Sequence, residues 1–335
     1  MRYLESLQKS LLEIFKGEER VLLLGEDILD PYGGAFKVTA GLSTRFPERV
    51  ISTPISEAAI VGIATGLALR GFLPLVEIMF GDFLTLCADQ IVNHATKFEA
   101  MYGGQVKVPM VIRTPMGGGR GYGPTHSQSL EKMYLGVPYL TIVAPSHAHD
   151  PGKLLKSAVL EDASVVLFLE SKRLYPVPLL KSTKQLRVWH VSEKNGYETA
   201  LVANFYEGSP DVTLVGYGGV SLLSQPILER LGEEEIRVLC VFPSCLNPLP
   251  IETVADMAKK SGRVIIVEEG GAFFNWGSEA ASALYERLWH GLEMPIKRLS
   301  ARNTIVPASK SMEDQVLVTP ENIEGTILEA IEWRP

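Results

Sequence analysis

Short apolar runs alternate with longer stretches of helical spacing through the first half of the chain. Short runs favour buried strands, while apolar positions recurring over more than about ten residues favour helices. The predicted strands span residues 21–27, 73–80, 108–115, 140–146 and 165–171, and the predicted helices span residues 57–71, 82–101 and 150–161. This alternation is typical of a parallel sheet covered by helices on both faces.

A second unit with the same alternation fills the last third of the chain. Its predicted strands span residues 211–219, 236–243 and 263–271, and its predicted helices span residues 221–232 and 251–262. Residues 181–210 are rich in charge and have a broken pattern, so they predict a linker that could hold an irregular strand pair. We therefore expect two three-layer α/β domains, over residues 1–180 and 211–335, joined by this linker.

Composition narrows the functional classes. The net charge of −7 and the absence of a Lys/Arg cluster argue against a nucleic-acid surface. Apolar runs are interrupted before about 18 residues, so no membrane span is expected. The first residues, MRYLESLQKSLLEIF, predict an amphipathic helix and not a targeting peptide. Cys87, Cys240 and Cys245 lack CxxC spacing, which favours a reducing cytoplasm and argues against disulfides and zinc.

The segment TPISEAAIVG, residues 53–62, places Glu57 at the start of an apolar helix. Ser56 is a suitable N-cap residue, so Glu57 is expected at the helix N-terminus and inside the protein. A carboxylate fixed there can hydrogen-bond a ring nitrogen of a heterocyclic cofactor. On these residues alone, a first-turn glutamate that only complements the helix dipole remains an alternative.

Several motifs occur in a characteristic order. They are GED at 25–27, GGAFKVTAGL at 33–42, TPISEA at 53–58, ADQIVN at 88–93, YGGQVKVP at 102–109 and HSQS at 126–129. Together they resemble the beta subunit of the thiamine-diphosphate-dependent 2-oxoacid dehydrogenases of the pyruvate, branched-chain and acetoin types. The resemblance implies a transketolase-like pyrimidine-binding domain followed by a smaller transketolase C-terminal-like domain.

The resemblance also implies roles for four residues. Glu57 would be catalytic by hydrogen-bonding the aminopyrimidine ring of the cofactor, and Met79 and Phe83 would pack against that ring. His126, which follows the glycine-rich run MGGGRGYGP at 116–124, would assist transfer to the acyl acceptor at the mouth of the site. On the residues alone, Met79 and Phe83 also suit ordinary core packing, and His126 also suits a loop histidine bonded to backbone.

One expected motif is missing. Related enzymes bind Mg²⁺ and the diphosphate through a GDG segment and a later asparagine, whereas here Gly81-Asp82 continues into Phe83. The resemblance therefore implies that this chain supplies no metal ligand and that an alpha subunit holds the Mg²⁺. Thiamine diphosphate would be shared between the subunits of an α₂β₂ heterotetramer. A potassium site is not predicted, because Glu161-Asp162-Ala163 departs from the family pattern.

The leading functional prediction is the beta subunit of a 2-oxoacid dehydrogenase that passes an acyl group to a lipoyl acyltransferase. Residues 301–317 lack the Asp-x-Pro-x-Pro-Tyr/Phe stretch that is usual near the C-terminus of these subunits. A split transketolase-like carboligase, which joins the acyl or two-carbon unit to an aldehyde or sugar, therefore remains an alternative. A scaffold without catalysis is a third possibility, against which Glu57 and His126 argue.

Overall fold

The computed structural model describes residues 1–334, and the chain folds around two β-sheets. The first sheet contains β1 (Val21–Gly25), β2 (Val50–Ser52), β3 (Leu73–Glu77), β4 (Met110–Met116), β5 (Leu140–Val143) and β6 (Val165–Ser171). These strands are parallel and follow the spatial order β2-β1-β3-β4-β6-β5, which confirms the predicted parallel sheet. Strands β4, β5 and β6 are buried along their whole length, as expected where helices cover a parallel sheet.

The helices of this half are α1 (Tyr3–Gly17), α2 (Leu42–Arg45), α3 (Glu57–Leu69), α4 (Phe98–Met101) and α5 (Pro151–Leu160). Helix α5 begins where the Asp150 carboxylate accepts the backbone N–H groups of Gly152 and Lys153. Helix α3 packs against β3. Its sequence, EAAIVGIATGLAL, is apolar on nearly every face, which is typical of a helix that is enclosed on all sides.

The predicted helix over residues 82–101 is helical but is not one regular α-helix. It divides into a 3₁₀ segment, a π-helical segment and α4, of which the first two span Gly81–Cys87 and Gln90–Ala95. The Thr96 hydroxyl donates to the Ile91 carbonyl oxygen at 3.0 Å. Such a side-chain bond competes with the regular backbone ladder, so the helical pattern changes at this point.

The later strands are β7 (Arg187–Ser192), β8 (Glu198–Ala203), β9 (Val212–Val215), β10 (Val238–Pro243), β11 (Cys245–Asn247), β12 (Val264–Gly271) and β13 (Lys297–Ala301). All except β11 form the second sheet, in the order β13-β12-β9-β10-β8-β7. Strands β9, β10, β12 and β13 are parallel, and β8 is antiparallel to β7 and β10. The accompanying helices are α6 (Val220–Glu233), α7 (Ile251–Ala258), α8 (Trp276–Leu288), α9 (Lys310–Val316) and α10 (Pro320–Glu332).

The predicted linker region contains a strand pair. Residues 187–203, which lie inside it, form the antiparallel hairpin of β7 and β8 and complete the second sheet. Asn195 and Gly196 form its turn with φ angles of 56° and 72°. An Asn-Gly pair favours this left-handed turn conformation, and it was the available sequence signal for the hairpin. The division into domains at residues 180 and 211 remains a prediction.

Two features tie the halves of the chain together. Strand β11, although it follows β10 in sequence, pairs antiparallel with β5 and completes the first sheet. In addition, the Tyr217 hydroxyl donates to the Glu131 carboxylate at 2.5 Å, and both side chains are buried. Tyr217 thereby satisfies one oxygen of the buried Glu131 carboxylate, and an unpaired buried carboxylate is costly.

Within residues 1–334, no helix combines the length and the apolar character that are needed to cross a membrane.

Candidate active site

The candidate site residues follow the carboxyl ends of adjacent strands in the first sheet. Glu57 comes after β2, Glu26 after β1, Met79 and Phe83 after β3, His126 after β4, and Lys172 after β6. Because β2, β1, β3, β4 and β6 are consecutive neighbours, these residues lie in a row along one edge of the sheet. This edge is where open parallel sheets bind ligands.

Glu57 is the first residue of α3, as predicted, and only 5% of it is exposed. Ser56 occupies the N-cap position, but its side chain makes no capping hydrogen bond. Within residues 1–334 no protein group donates a hydrogen bond to the Glu57 carboxylate. The burial of Glu57 is therefore not explained by a cap or an ion pair inside this chain.

A second carboxylate, Glu26, lies beside Glu57 at the end of β1. Burial raises the pKa of Glu26, and the neighbouring Glu57 charge raises it further. Its Oε1 atom is buried without a hydrogen-bond partner in the described chain. Burial also raises the pKa of the Cys87 thiol to about 12, with a further contribution from Glu57. Two carboxylates, Glu57 and Glu26, are therefore adjacent at the N-terminal end of α3. Glu26 was not predicted from the sequence as a site residue, although it is the glutamate of the GED motif.

An aromatic cluster surrounds His126. Its imidazole packs edge-on against Phe80 and Phe83, with ring centroids 4.6 and 5.3 Å away. The two phenyl rings are themselves 6.0 Å apart. The Thr125 hydroxyl is 2.9 Å from His126 Nδ1. Phe83 and His126, predicted from separate motifs, are thus brought together, and Phe80 is an additional member that was not predicted.

Met79 and Glu57 lie on elements that adjoin this cluster. Met79 is half-buried on the segment between β3 and the 3₁₀ turn that carries Phe83. Helix α3, which begins at Glu57, packs against the same turn. Gly81 starts the turn, and a Cβ there would lie 3.0 Å from the Met116 side chain. The close approach of the Met116 side chain thus disfavours a larger residue at this position.

The glycine-rich loop from residue 117 to His126 is held from several sides. Lys172 donates its ammonium to the His126 carbonyl oxygen, and Arg173 donates to the Gly118 carbonyl oxygen at 3.1 Å. Beyond His126, the Asp82 carboxylate accepts from the backbone and side chain of Gln128 at 3.2 and 2.9 Å. The loop is therefore ordered by contacts to the ends of β3 and β6.

Lys172 is the least expected member of this site. Its side chain is 0% exposed, and within residues 1–334 it forms no ion pair. Its ammonium lies 5.2 Å from the centre of the Phe80 ring, where the ring face favours a cation. Burial lowers the pKa of Lys172 to about 8, against the opposing pull of Asp82 and Glu269. Its sequence signal was a lysine directly after the fully buried strand β6.

In the part of the chain that the structure describes, no three His, Cys, Asp or Glu side chains converge as a metal-binding group. The Asp162 carboxylate, near the segment considered for potassium, accepts hydrogen bonds from Ser164 and Tyr197.

Comparison with known families assigns both halves of the chain. The family model of the transketolase pyrimidine-binding domain matches residues 1–178, and that of the transketolase C-terminal domain matches residues 202–323. The two predicted domain types are therefore confirmed in their predicted order.

Individual relatives show which transketolase-like proteins the chain resembles over its length. The chain is 32% identical to the beta subunit of acetoin:2,6-dichlorophenolindophenol oxidoreductase of Bacillus subtilis, covering 98% of this chain and 96% of the relative. It is 33% identical to the 2-oxoisovalerate dehydrogenase subunit beta of the same organism, covering 99% of both chains. It is 32% identical to the mitochondrial pyruvate dehydrogenase E1 component subunit beta of Dictyostelium discoideum, covering 95% and 88%.

The chain belongs to the family of E1 beta subunits of the 2-oxoacid dehydrogenases, within the transketolase-like group. The resemblance drawn from the sequence motifs is thus confirmed. The enzymes of this family depend in general on thiamine diphosphate. Because the relatives are named as beta subunits, a partner subunit is also implied.

One solved structure has the same fold over nearly the whole length. It is described as a split gene transketolase, inactive beta4 tetramer. The TM-score is 0.71 at 19% identity, and the match covers 99% of this chain and 98% of that chain.

Proposed function

We propose that this chain supplies the aminopyrimidine half of a thiamine-diphosphate site that it shares with an alpha subunit. The alpha subunit holds Mg²⁺ and the diphosphate, and two copies of each chain form an α₂β₂ heterotetramer. The assembly decarboxylates a 2-oxoacid and passes the acyl group to a lipoyl acyltransferase. We place it in the cytoplasm, which suits its three free cysteines.

The row of residues along the carboxyl edge of the first sheet carries this proposal. It combines a buried carboxylate at Glu57, an apolar wall at Met79 and Phe83, and a titratable ring at His126. A flat heterocycle needs a hydrogen-bonding group at one ring atom and apolar surfaces on its faces. These residues meet both requirements along one edge of the sheet.

The buried polar atoms also fit an aminopyrimidine. Glu26 Oε1 is buried without a partner in the described chain, and the Glu57 carboxylate beside it accepts no hydrogen bond there. Buried acceptors are normally satisfied, so the unpartnered Glu26 Oε1 beside the Glu57 carboxylate favours a ligand that brings a donor. Glu57 is the residue that would hydrogen-bond the aminopyrimidine ring, with Met79 and Phe83 against its faces.

When bound, thiamine diphosphate supplies the electron sink for loss of the substrate carboxylate. Glu57 holds or gives up one proton at the ring nitrogen that it contacts. Burial raises the pKa of Glu26, and the Glu57 charge raises it further. Met79 and Phe83 exclude water from the pocket. His126 moves a proton at the mouth, where the acyl acceptor arrives.

The exposed outer face of α3 favours the proposal that the cofactor site is shared with an alpha subunit. Ile63 on this helix is 55% exposed, and Ile55 just before it is 83% exposed. At Gly66 an added Cβ would meet no atom within 4 Å. A helix that is apolar on all faces is normally covered, and this one begins at Glu57. We therefore assign its outer face to the alpha subunit, which completes the cofactor site from that side.

The carboligase alternative has its own supporting observation. Residues 301–317, which depart from the usual dehydrogenase pattern, line part of a cavity of about 180 Å³ next to His126. Its wall includes Ser127, Lys132, Glu269 and Asn303, and the buried Ser127 hydroxyl has no partner in the described chain. A polar cavity of this kind suits a hydroxylated acceptor such as a sugar or hydroxyaldehyde.

The decisive experiment is co-expression of this chain with an alpha subunit of the same family. The purified assembly is assayed with a set of 2-oxoacids and a dye acceptor, and then with a lipoyl domain or with aldehydes and sugars. Transfer to the lipoyl domain supports the proposal, whereas transfer only to aldehydes or sugars favours the carboligase. Calorimetry with Mg²⁺ and thiamine diphosphate tests the shared site, because tight binding to the isolated beta chain would contradict it.

A further inference from the structure

The C-terminal segment 308–317 lies directly over the glycine-rich loop. A Cβ at Gly118 would lie 2.7 Å from the Leu317 side chain, and one at Gly121 would lie 3.2 Å from the Ala308 carbonyl oxygen. At Gly123 the corresponding distance to the Ala308 Cβ is 3.4 Å. The glycine backbone of the loop that ends in His126 is therefore packed directly against Leu317 and Ala308 of the second half of the chain.

A single carboxylate accepts hydrogen bonds from the middle of the loop. Glu313, on α9, is fully buried. Its Oε1 accepts the backbone N–H of Gly119 at 2.7 Å, and its Oε2 accepts that of Gly121 at 3.0 Å. The two glycines have φ angles of +90° and +70°, a region that residues with a Cβ rarely adopt. This conformation allows alternate amides to point at the same acceptor.

We propose that Glu313 is a positioning residue that fixes the loop and thereby holds His126 against Phe80 and Phe83. The proposal rests on the proposed role of His126 in transfer to the acceptor. It assigns to α9, which is far from the site in sequence, a direct influence on the geometry of the site.

Three observations favour a role on the loop over a role within α9. Within residues 1–334, both hydrogen bonds of the Glu313 carboxylate go to the loop. The helix itself is maintained by its backbone, since the N–H of Leu317 donates to the Glu313 carbonyl oxygen at 2.9 Å. The Glu313 charge also favours the charged form of Lys172, which donates to the His126 carbonyl oxygen at the other end of the loop.

Charge-assisted hydrogen bonds to a buried carboxylate are stronger than neutral ones. In Glu313→Gln, one oxygen remains and the other is replaced by an amide group that cannot accept an N–H. The loop amides then lose the charge and one acceptor, while side-chain volume is preserved. The matched control is Asp314→Asn on the same helix, because Asp314 is exposed and pairs only with Lys310 among the described residues.

The first measurement is hydrogen–deuterium exchange on the full beta chain, with the peptide covering residues 117–126 as readout. We expect exchange of this peptide to accelerate about tenfold or more in Glu313→Gln. Peptides from β4 and β12 should exchange as in the wild type, which shows that the variant is folded. Asp314→Asn should leave the loop unchanged. Equal exchange in both variants would overturn the proposal.

The second measurement separates the two half-reactions in the enzyme assembled with its alpha subunit. Glu313→Gln should lower acceptor-dependent transfer by about tenfold or more, because small misplacements of a catalytic group are costly. Dye-coupled decarboxylation should stay within about twofold, since Glu57 and Phe83 lie on elements that Glu313 does not contact. Faster loop exchange with wild-type transfer would overturn the positioning role. A wild-type assembly that turns over no 2-oxoacid would contradict the proposed function, while the exchange experiment would still decide whether Glu313 fixes the loop.

Discussion

The imidazole of His126 packs edge-on against the ring of Phe83, with centroids 5.3 Å and planes 80° apart. The two residues follow different strands of the first sheet, and the row of strand ends brings them together. This contact joins the apolar wall of the candidate pocket to its titratable group. A substitution at either residue is therefore expected to alter the packing of the other.

Replacing Glu57 with glutamine should keep the assembly intact but lower turnover by about 10²–10⁴-fold. The amide can still contact a ring nitrogen, but it cannot exchange the proton that the proposed chemistry requires. Deuterium exchange at the thiazolium carbon of the bound cofactor should slow in parallel. The control is Glu48→Gln, an identical change at an exposed position. Near-normal exchange and turnover in Glu57→Gln would show that the assignment is wrong.

His126→Ala should impair transfer to the natural acceptor more than dye-coupled decarboxylation. The pocket around Glu57 and Met79 stays in place, whereas proton transfer at its mouth is lost. Single-turnover decarboxylation and acceptor-dependent product formation are measured on the same preparation. The exposed His290 provides the control substitution to alanine. An equal loss in both measurements would assign His126 to the first half-reaction or to cofactor binding.

Lys172 predicts a dependence of stability on pH. Burial lowers its pKa in the folded chain from 10.5 to about 8, so between these values the unfolded state binds more protons. Stability contributed by Lys172 should therefore rise as the pH increases through this window. Relative to Lys172→Met, the wild type should gain about 1–2 kcal/mol in free energy of unfolding between about pH 7.5 and 9.5. Denaturant unfolding at both pH values measures this, with the exposed Lys156→Met as control.

If the difference between wild type and Lys172→Met stays constant over that range, the ammonium is not destabilised by burial. A difference that falls with rising pH would mean that an unrecognised anion stabilises the charged form.

Much of the fold follows from the sequence because its strands are buried. Strand β6 occupies the predicted residues 165–171, where a continuous apolar run leaves little ambiguity. Strand β7 was anticipated only as part of an irregular strand pair of undefined bounds, because it alternates between exposed and half-buried residues and carries Arg187 and His190. Strand β11 could not be foreseen, since its three residues show no periodicity and its partner β5 is distant in sequence.

The sequence prediction of the candidate site rests on local motifs. Glu57 and His126 were predicted because each begins or ends a recognisable segment. Lys172 and Glu313 are buried and hydrogen-bond to the backbone of the loop, and no local pattern reveals such contacts. Their positions depend on contacts between distant parts of the chain, and such contacts are set by the packing of the whole fold.

The Tyr217–Glu131 hydrogen bond, which joins the two halves of the chain, predicts a pH-dependent contribution to stability. Burial raises the pKa of Glu131 from 4.5 to about 7, while Tyr217 opposes this shift by donating to the carboxylate. Because the folded state retains the proton more tightly, the contribution of Glu131 to stability falls as the pH rises between those values. Tyr217→Phe removes the donor to the charged form, so it should cost about 1–3 kcal/mol at alkaline pH and less in acid.

Thermal unfolding at about pH 5.5 and 8 tests this expectation on either side of the Glu131 titration. Tyr139→Phe removes an equivalent hydroxyl from an exposed ring and should have no effect at either pH. A cost for Tyr217→Phe that is the same at both pH values would mean that Glu131 does not titrate in this range.

Strand β11 has a consequence for biosynthesis. The edge of β5 stays unpaired until residues 245–247 have been synthesised, although the other strands of its sheet lie before residue 172. A fragment that stops after β6 would present this open edge, and open edges recruit strands from other chains. The pyrimidine-binding half is therefore not a unit that can be cut out at its family boundary and expected to stay monomeric. Most of the polypeptide must therefore be synthesised before the first sheet can be completed.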